Sequence, residues 1–234
     1  MKKSFRTMPA VLTALALTLA GGCIGGNGYP PEMYLSVIAK QVYEKVKDDA
    51  TGEITYQKFE EARNIEVSPE GIGSASLSAT GRLTFDFGPP KTPIDAGAFA
   101  DTMFADNYTD VSVSDDTAKA TAFVLGVGAD HHIYRGRNSY TADLETATVK
   151  NELVVYVYAD RPVVMSGKGE KGTPDANNVT LNTTDFSLSL GAGWNAVYMA
   201  SDGNGPADGS SLTLTKTVSL DDNKDLMWIY GPKE

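Results

Sequence analysis

The sequence predicts an all-β fold, an antiparallel β-sandwich of about nine or ten strands. Two observations carry this. Apolar and polar residues alternate over many short runs from Ser74 onward, and turn-forming clusters separate those runs. A third observation excludes the main alternative: no helix-length segments alternate with the runs, as a parallel α/β sheet requires.

The elements follow from the alternation. Leu83, Phe85 and Phe87 share one face while Arg82, Thr84 and Asp86 share the other. Phe186, Leu188 and Leu190 alternate with Ser187, Ser189 and Gly191, and Leu212, Leu214, Val218 and Leu220 alternate with Thr213, Thr215, Thr217 and Ser219. Leu153 to Ala159 is apolar on both faces and reads as a central strand. Val111–Val113, Thr121–Val127, Val163–Met165, Ala196–Ala200 and Leu226–Tyr230 complete the set. Gly88-Pro89-Pro90, Asp115-Asp116, Gly167 to Gly172, Gly191 to Gly193, Asp202 to Gly209 and Asp221 to Lys224 supply the turns. Ile94 to Phe104 can form one short helix over an end of the sandwich.

Residues 32–66 form a more polar segment ahead of the sandwich domain, 67–231. Pro30, Pro31 and Glu32 suit a helix start, and the expectation is a helix over 32–46. The apolar positions there make no clean helical stripe, so a hairpin of Val42–Val46 with Ile54–Tyr56 competes with it.

Of 234 residues, 30 are acidic, 20 basic and 41% hydrophobic, a composition that folds rather than stays disordered. A net charge of −10 argues against nucleic acid as a partner. A single cysteine excludes a disulfide framework and a cysteine-rich zinc site.

Lys2, Lys3 and Arg6 precede an apolar run, Ala10 to Ala20, too short to span a bilayer as a helix. Small residues Gly21 and Gly22 follow, and then the lone Cys23. Basic start, short apolar run and small residues predict an export signal peptide over 1–22. The string Leu19-Ala20-Gly21-Gly22-Cys23 resembles the lipobox of bacterial lipoproteins, with Ala20 rather than leucine three positions before the cysteine. The resemblance implies acylation of Cys23, which makes the lipid bilayer a partner, with residues 23–31 as a tether. Ile24 rather than Asp follows the cysteine, which by the rule of enteric lipoproteins implies the outer membrane or cell surface over the cytoplasmic membrane. Removal of 1–22 leaves the mature chain at −13.

Sites for chemistry are sparse. Gly167-Lys168-Gly169-Glu170-Lys171-Gly172 spells G-x-G-x-x-G, but turn composition rather than a helix start follows it, so it reads as a loop. Asp221, Asn223 and Asp225 place oxygens at alternate positions as a calcium loop does, and Asp202, Asn204 and Asp208 form a second acidic loop. Both are also ordinary hairpin turns; calcium is the one cofactor they suggest. Lys47 to Lys58 follows part of the EF-hand rhythm, with cations where the ligating carboxylates belong. His131 and His132 read as a surface loop, and on a strand they would point to opposite faces. The stretch Ser189 to Met199, with Gly191-Ala192-Gly193-Trp194-Asn195 at its turn, resembles a Leu-x-x-Gly-Trp-Asn hairpin of various uncharacterised secreted bacterial β proteins. No nucleophile elbow occurs and nothing singles out catalytic residues. The expectation is a membrane-anchored exported lipoprotein with a non-enzymatic binding or structural sandwich, its ligand a carbohydrate or a protein. An envelope-acting, glycosidase-like hydrolase with two carboxylates is the alternative.

Overall fold

A computed structural model describes residues 33–48, 53–142, 145–220 and 225–232. The expected signal peptide, tether and Cys23 lie outside the described residues, as do Asp221 and Asn223. No helix among the described residues is long and apolar enough to cross a membrane.

The fold is all-β and sandwich-like. In chain order the elements are β1 (Leu35–Ala39), β2 (Val42–Lys47), β3 (Ile54–Lys58), β4 (Glu66–Ser68), β5 (Gly73–Leu77), β6 (Leu83–Phe87) and β7 (Ile94–Asp95). The helix α1 (Ala96–Phe104) precedes β8 (Thr109–Val113), β9 (Lys119–Ala122), β10 (Val124–Val127), β11 (His131–Ala142), β12 (Thr146–Ala159) and β13 (Val163–Lys168). The chain ends with β14 (Val179–Thr183), β15 (Phe186–Leu190), β16 (Gly193–Pro206), β17 (Leu212–Leu220) and β18 (Met227–Pro232).

A twelve-stranded sheet forms the middle, in the order β14-β17-β16-β12-β11-β18-β2-β3, with β4, β7, β9 and β10 attached to it. One three-stranded sheet, β1-β6-β5, and another, β15-β13-β8, complete the fold. All pairings are antiparallel except β14 with β17 and β2 with β18. Along β12 the side chains alternate, and the two small sheets account for both directions. Val157 and Ala159 pack with Met165, Leu188 and the α1 residues Phe99 and Phe104. Tyr156 packs the other way, against Phe85, Phe87 and Trp228. Each small sheet therefore covers one face of the large one, which explains why Leu153 to Ala159 carries apolar residues on both faces.

The helix expected over 32–46 does not form. The described part of that segment carries β1 and β2, and the competing hairpin is the one present, with Tyr43 opposite Lys58 and Lys47 opposite Ile54. Leu35, Val37 and Ala39 turn inward at period two while Ile38 stays exposed, a strand's pattern, and pairing with β6 and β18 stabilises it. The expected division at residue 66 falls inside β4, and the polar segment belongs to the same sheets as the rest.

Other boundaries shift for equally local reasons. Thr121–Val127 is broken at Phe123, whose ring leaves the ladder to pack on Phe87, Tyr156 and Trp194. Asp202 to Pro206 is strand rather than loop, because fourteen residues of β16 pair with β12. The helix α1 buries Ala96, Phe99, Ala100 and Phe104, a stripe spaced 3, 1 and 4, and its last turn hands the chain to Asn107 and Tyr108 through bonds to the Phe104 carbonyl.

The segment Leu190 to Asn195 is not a hairpin. β15 pairs with β13 and β16 with β12, so the two glycines carry the chain around a corner from one sheet to another. The Asn195 side chain holds that corner. Its Nδ2 donates to the Gly191 carbonyl at 2.9 Å and the Gly193 carbonyl at 3.0 Å, and its Oδ1 accepts from the Gly191 amide at 2.8 Å. Gly193 sits at φ +96°, where a Cβ would be strained. Trp194 Nε1 donates to the Gly88 carbonyl at 3.2 Å and ties the corner to the loop after β6.

Candidate functional site

The site begins with the register of the β11–β12 hairpin. Asn138 stands directly opposite Asn151, and Asn138 Nδ2 donates to Asn151 Oδ1 at 2.8 Å. Tyr134 lies four residues earlier on β11, and its hydroxyl donates to Asn138 Oδ1 at 3.1 Å. Its ring can lie along the strand because Gly136 intervenes: a Cβ there would sit 3.2 Å from the ring and 2.3 Å from the Glu152 carbonyl oxygen. His132 adds a second ring, centred 4.9 Å from that of Tyr134. From β3, Tyr56 fixes the backbone of Asn138, accepting from its amide and donating to its carbonyl at 2.8 Å.

These side chains border a half-open cavity of about 360 Å³, within the range of small-molecule sites. Leu153, Met199 and Val218 give it apolar surface, and the end of α1 contributes Met103, Asn107 and Tyr108. Lys216 of β17 brings one ammonium to this border and donates to Asn107 Oδ1 at 2.6 Å. Tyr108 is 6% exposed and packs edge-on against Phe186, and burial raises the pKa of its phenol. Among the described residues its hydroxyl is the one buried side-chain polar atom with no partner. An orphaned buried hydroxyl is costly unless water or a ligand completes it.

The lone acid at this border, Glu152, does not serve it. Alternation turns its side chain to the opposite face from Asn151 and Leu153. There Arg137 Nε donates to Oε2 at 2.8 Å, the Tyr198 hydroxyl donates to Oε1 at 2.6 Å, and Lys150 Nζ stands 3.6 Å from Oε1. Burial by itself would raise the carboxyl; the Tyr198 and Arg137 bonds outweigh it and hold the group below the usual carboxylate range. The same burial and the facing carboxylate push the Tyr198 phenol up.

A second cleft, of about 530 Å³, adjoins the first. It lies where the large sheet forks: β12 leaves β11 after Val154 to pair with β9, while β11 goes on to pair with β10. Phe123 sits between β9 and β10 at this fork, with Tyr156 stacked on it at 5.5 Å.

The acidic residues singled out in the sequence lie elsewhere. Asp202 is on β16 opposite Lys150, whose Nζ is 3.9 Å away, while Asp208 sits at the β16–β17 turn. The Ser210 hydroxyl and amide hold the Asp208 carboxyl below its usual range. From Asp202 to Pro206 the strand advances four steps, about 13 Å, before the turn that carries Asp208, so the two acids do not converge. Asp225 precedes β18 and is exposed. No group of three His, Cys, Asp or Glu side chains among the described residues could hold a metal ion. His131 and His132 open β11 instead of forming a loop and do point apart: His131 stacks on Tyr230 at 4.8 Å and His132 borders the cavity.

Asn107, Tyr108, Tyr134, Asn138, Asn151 and Lys216 carried no motif. The one sequence signal was the equal spacing of Asn138 and Asn151 from the Ala142–Ala147 pair, visible only once both strands are extended beyond their apolar cores. Comparison with known proteins found no matching family model, no matching curated protein and no matching solved structure.

Proposed function

We propose that this chain is an exported lipoprotein, anchored by acylated Cys23, whose sandwich-like domain binds a small carbohydrate without transforming it. The observation that carries the reading is the cavity bordered by Asn138, Asn151, Lys216 and the His132–Tyr134 ring pair, with the orphaned Tyr108 hydroxyl beside it. Side-chain amides donate and accept at once, which suits hydroxyl groups, and aromatic rings offer a face for the C–H side of a sugar. Glycoside hydrolysis needs two carboxylates about 5–10 Å apart across the ligand. The one acid at this border is Glu152, engaged on the far face, which favours binding over hydrolysis.

The test is titration calorimetry of the full chain carrying Cys23→Ala against a panel of neutral mono- and disaccharides. Binding that falls roughly tenfold or more in Asn138→Ala supports the reading. Absence of binding across the panel, or a sugar affinity that Asn138→Ala leaves unchanged, overturns it.

A further inference from the structure

We propose that the occupant of this cavity is an amphiphile, its polar head in the cavity and its alkyl chain in the apolar cleft at the fork of the sheet. This rests on the carbohydrate reading of the polar cavity and names the rest of the ligand.

The two clefts share Met103, His132, Tyr134 and Leu153, so the same side chains border both. Their chemistry changes across that border. Amides and an ammonium lie on one side; Phe123, Val124, Val155, Tyr156 and Trp228 lie on the other. Polar groups at the fork are already engaged with one another, as the Arg135 guanidinium donates to the Tyr156 hydroxyl at 3.3 Å. Val124 is 51% exposed at the edge of this cleft, an apolar residue left in reach of solvent.

The fork explains why such a cleft exists in a packed sheet. Between the last β11–β12 pair, Arg135 with Val154, and the first β9–β12 pair, Ala122 with Val157, the ladder on this side of β12 lacks a partner strand for Val155 and Tyr156. Residues of both faces meet there: His132, Tyr134 and Val155 from one, Ile133, Val154 and Trp228 from the other. A chain of methylenes would fill space that no side chain of the protein fills and would bury apolar surface without needing hydrogen bonds. A free sugar would leave that cleft to water.

Calorimetry of the full chain carrying Cys23→Ala with octyl β-glucoside, kept below its micelle-forming concentration, and with glucose tests this. The alkyl glucoside is expected to bind roughly tenfold or more tightly than glucose, with a more negative heat-capacity change and a shift in tryptophan emission. Val124→Asp, at a site exposed enough for the protein to fold, is expected to weaken the alkyl glucoside about fivefold or more and leave glucose unchanged. Equal affinities for the two probes, or an alkyl glucoside insensitive to Val124→Asp, overturn the amphiphile while glucose binding keeps the carbohydrate reading. If neither probe binds, the amphiphile falls, and the panel of mono- and disaccharides decides the carbohydrate reading by itself.

Discussion

The Tyr198 hydroxyl donates a 2.6 Å hydrogen bond to the carboxylate of Glu152, a residue only 4% exposed and the one charged group in the protein's described core. Arg137, directly opposite Glu152 on β11, completes the arrangement with two nitrogens on one carboxylate oxygen. A carboxylate buried this far is stable only while those partners remain. Tyr198→Phe is therefore expected to destabilise the protein by about 1–3 kcal/mol, read as a lower urea midpoint at unchanged slope.

The same group sets an acid limb. Its folded carboxyl lies below the usual range, so the folded state binds fewer protons there than the unfolded chain. The stability it contributes is fully present above the unfolded carboxyl's pKa and is lost as pH falls through the folded one. Glu152→Gln is expected to be less stable than the parent near neutrality, with the difference shrinking toward about pH 3; urea midpoints across that range check it.

Asn195 holds the corner between β15 and β16 through three bonds to Gly191 and Gly193. Asn195→Ala is expected to cost about 1–3 kcal/mol and to raise amide exchange at the corner before the rest of the sheet. Asn195→Asp loses both donations and should cost at least as much.

Tyr108 carries a buried hydroxyl without a partner. Tyr108→Phe keeps the packing on Phe104 and Phe186 and removes the unpaired group. It is expected to leave the empty protein as stable as the parent or more so, by up to about 1 kcal/mol, and to weaken sugar binding. A thermal melt and a titration on the same sample separate the two effects.

The proposed anchor is Cys23, which lies outside the described residues. Cys23→Ala is expected to move the protein from the membrane pellet to the soluble fraction, because several acyl chains on one residue are what would hold it there. Fractionation of cells expressing either form reads this directly.

Much of the fold was legible because one face of most strands is buried. The runs at Leu83–Phe87, Phe186–Leu190 and Leu212–Leu220 alternate so regularly that period two admits one reading, and all three are strands. The segment 32–46 misled because β1 and β2 are short and stabilised by distant partners, Phe85 and Phe87 of β6 and Trp228 of β18. The site was less legible still, since its residues come from α1, β11, β12, β16 and β17 and meet only through register.

By itself the sequence determined the β class, the breaks at Gly88 to Pro90 and at Asp115-Asp116, and the both-faces burial of Leu153 to Ala159, since these depend on period and local backbone preference. Tertiary structure alone decided that Leu190 to Asn195 turns a corner rather than a hairpin, that Glu152 faces away from the cavity its neighbours border, and that β12 parts from β11 after Val154. Those outcomes depend on which strands pair and in what register. Pairing is settled by contacts between residues far apart in the chain, whose separation leaves no periodic trace in the sequence.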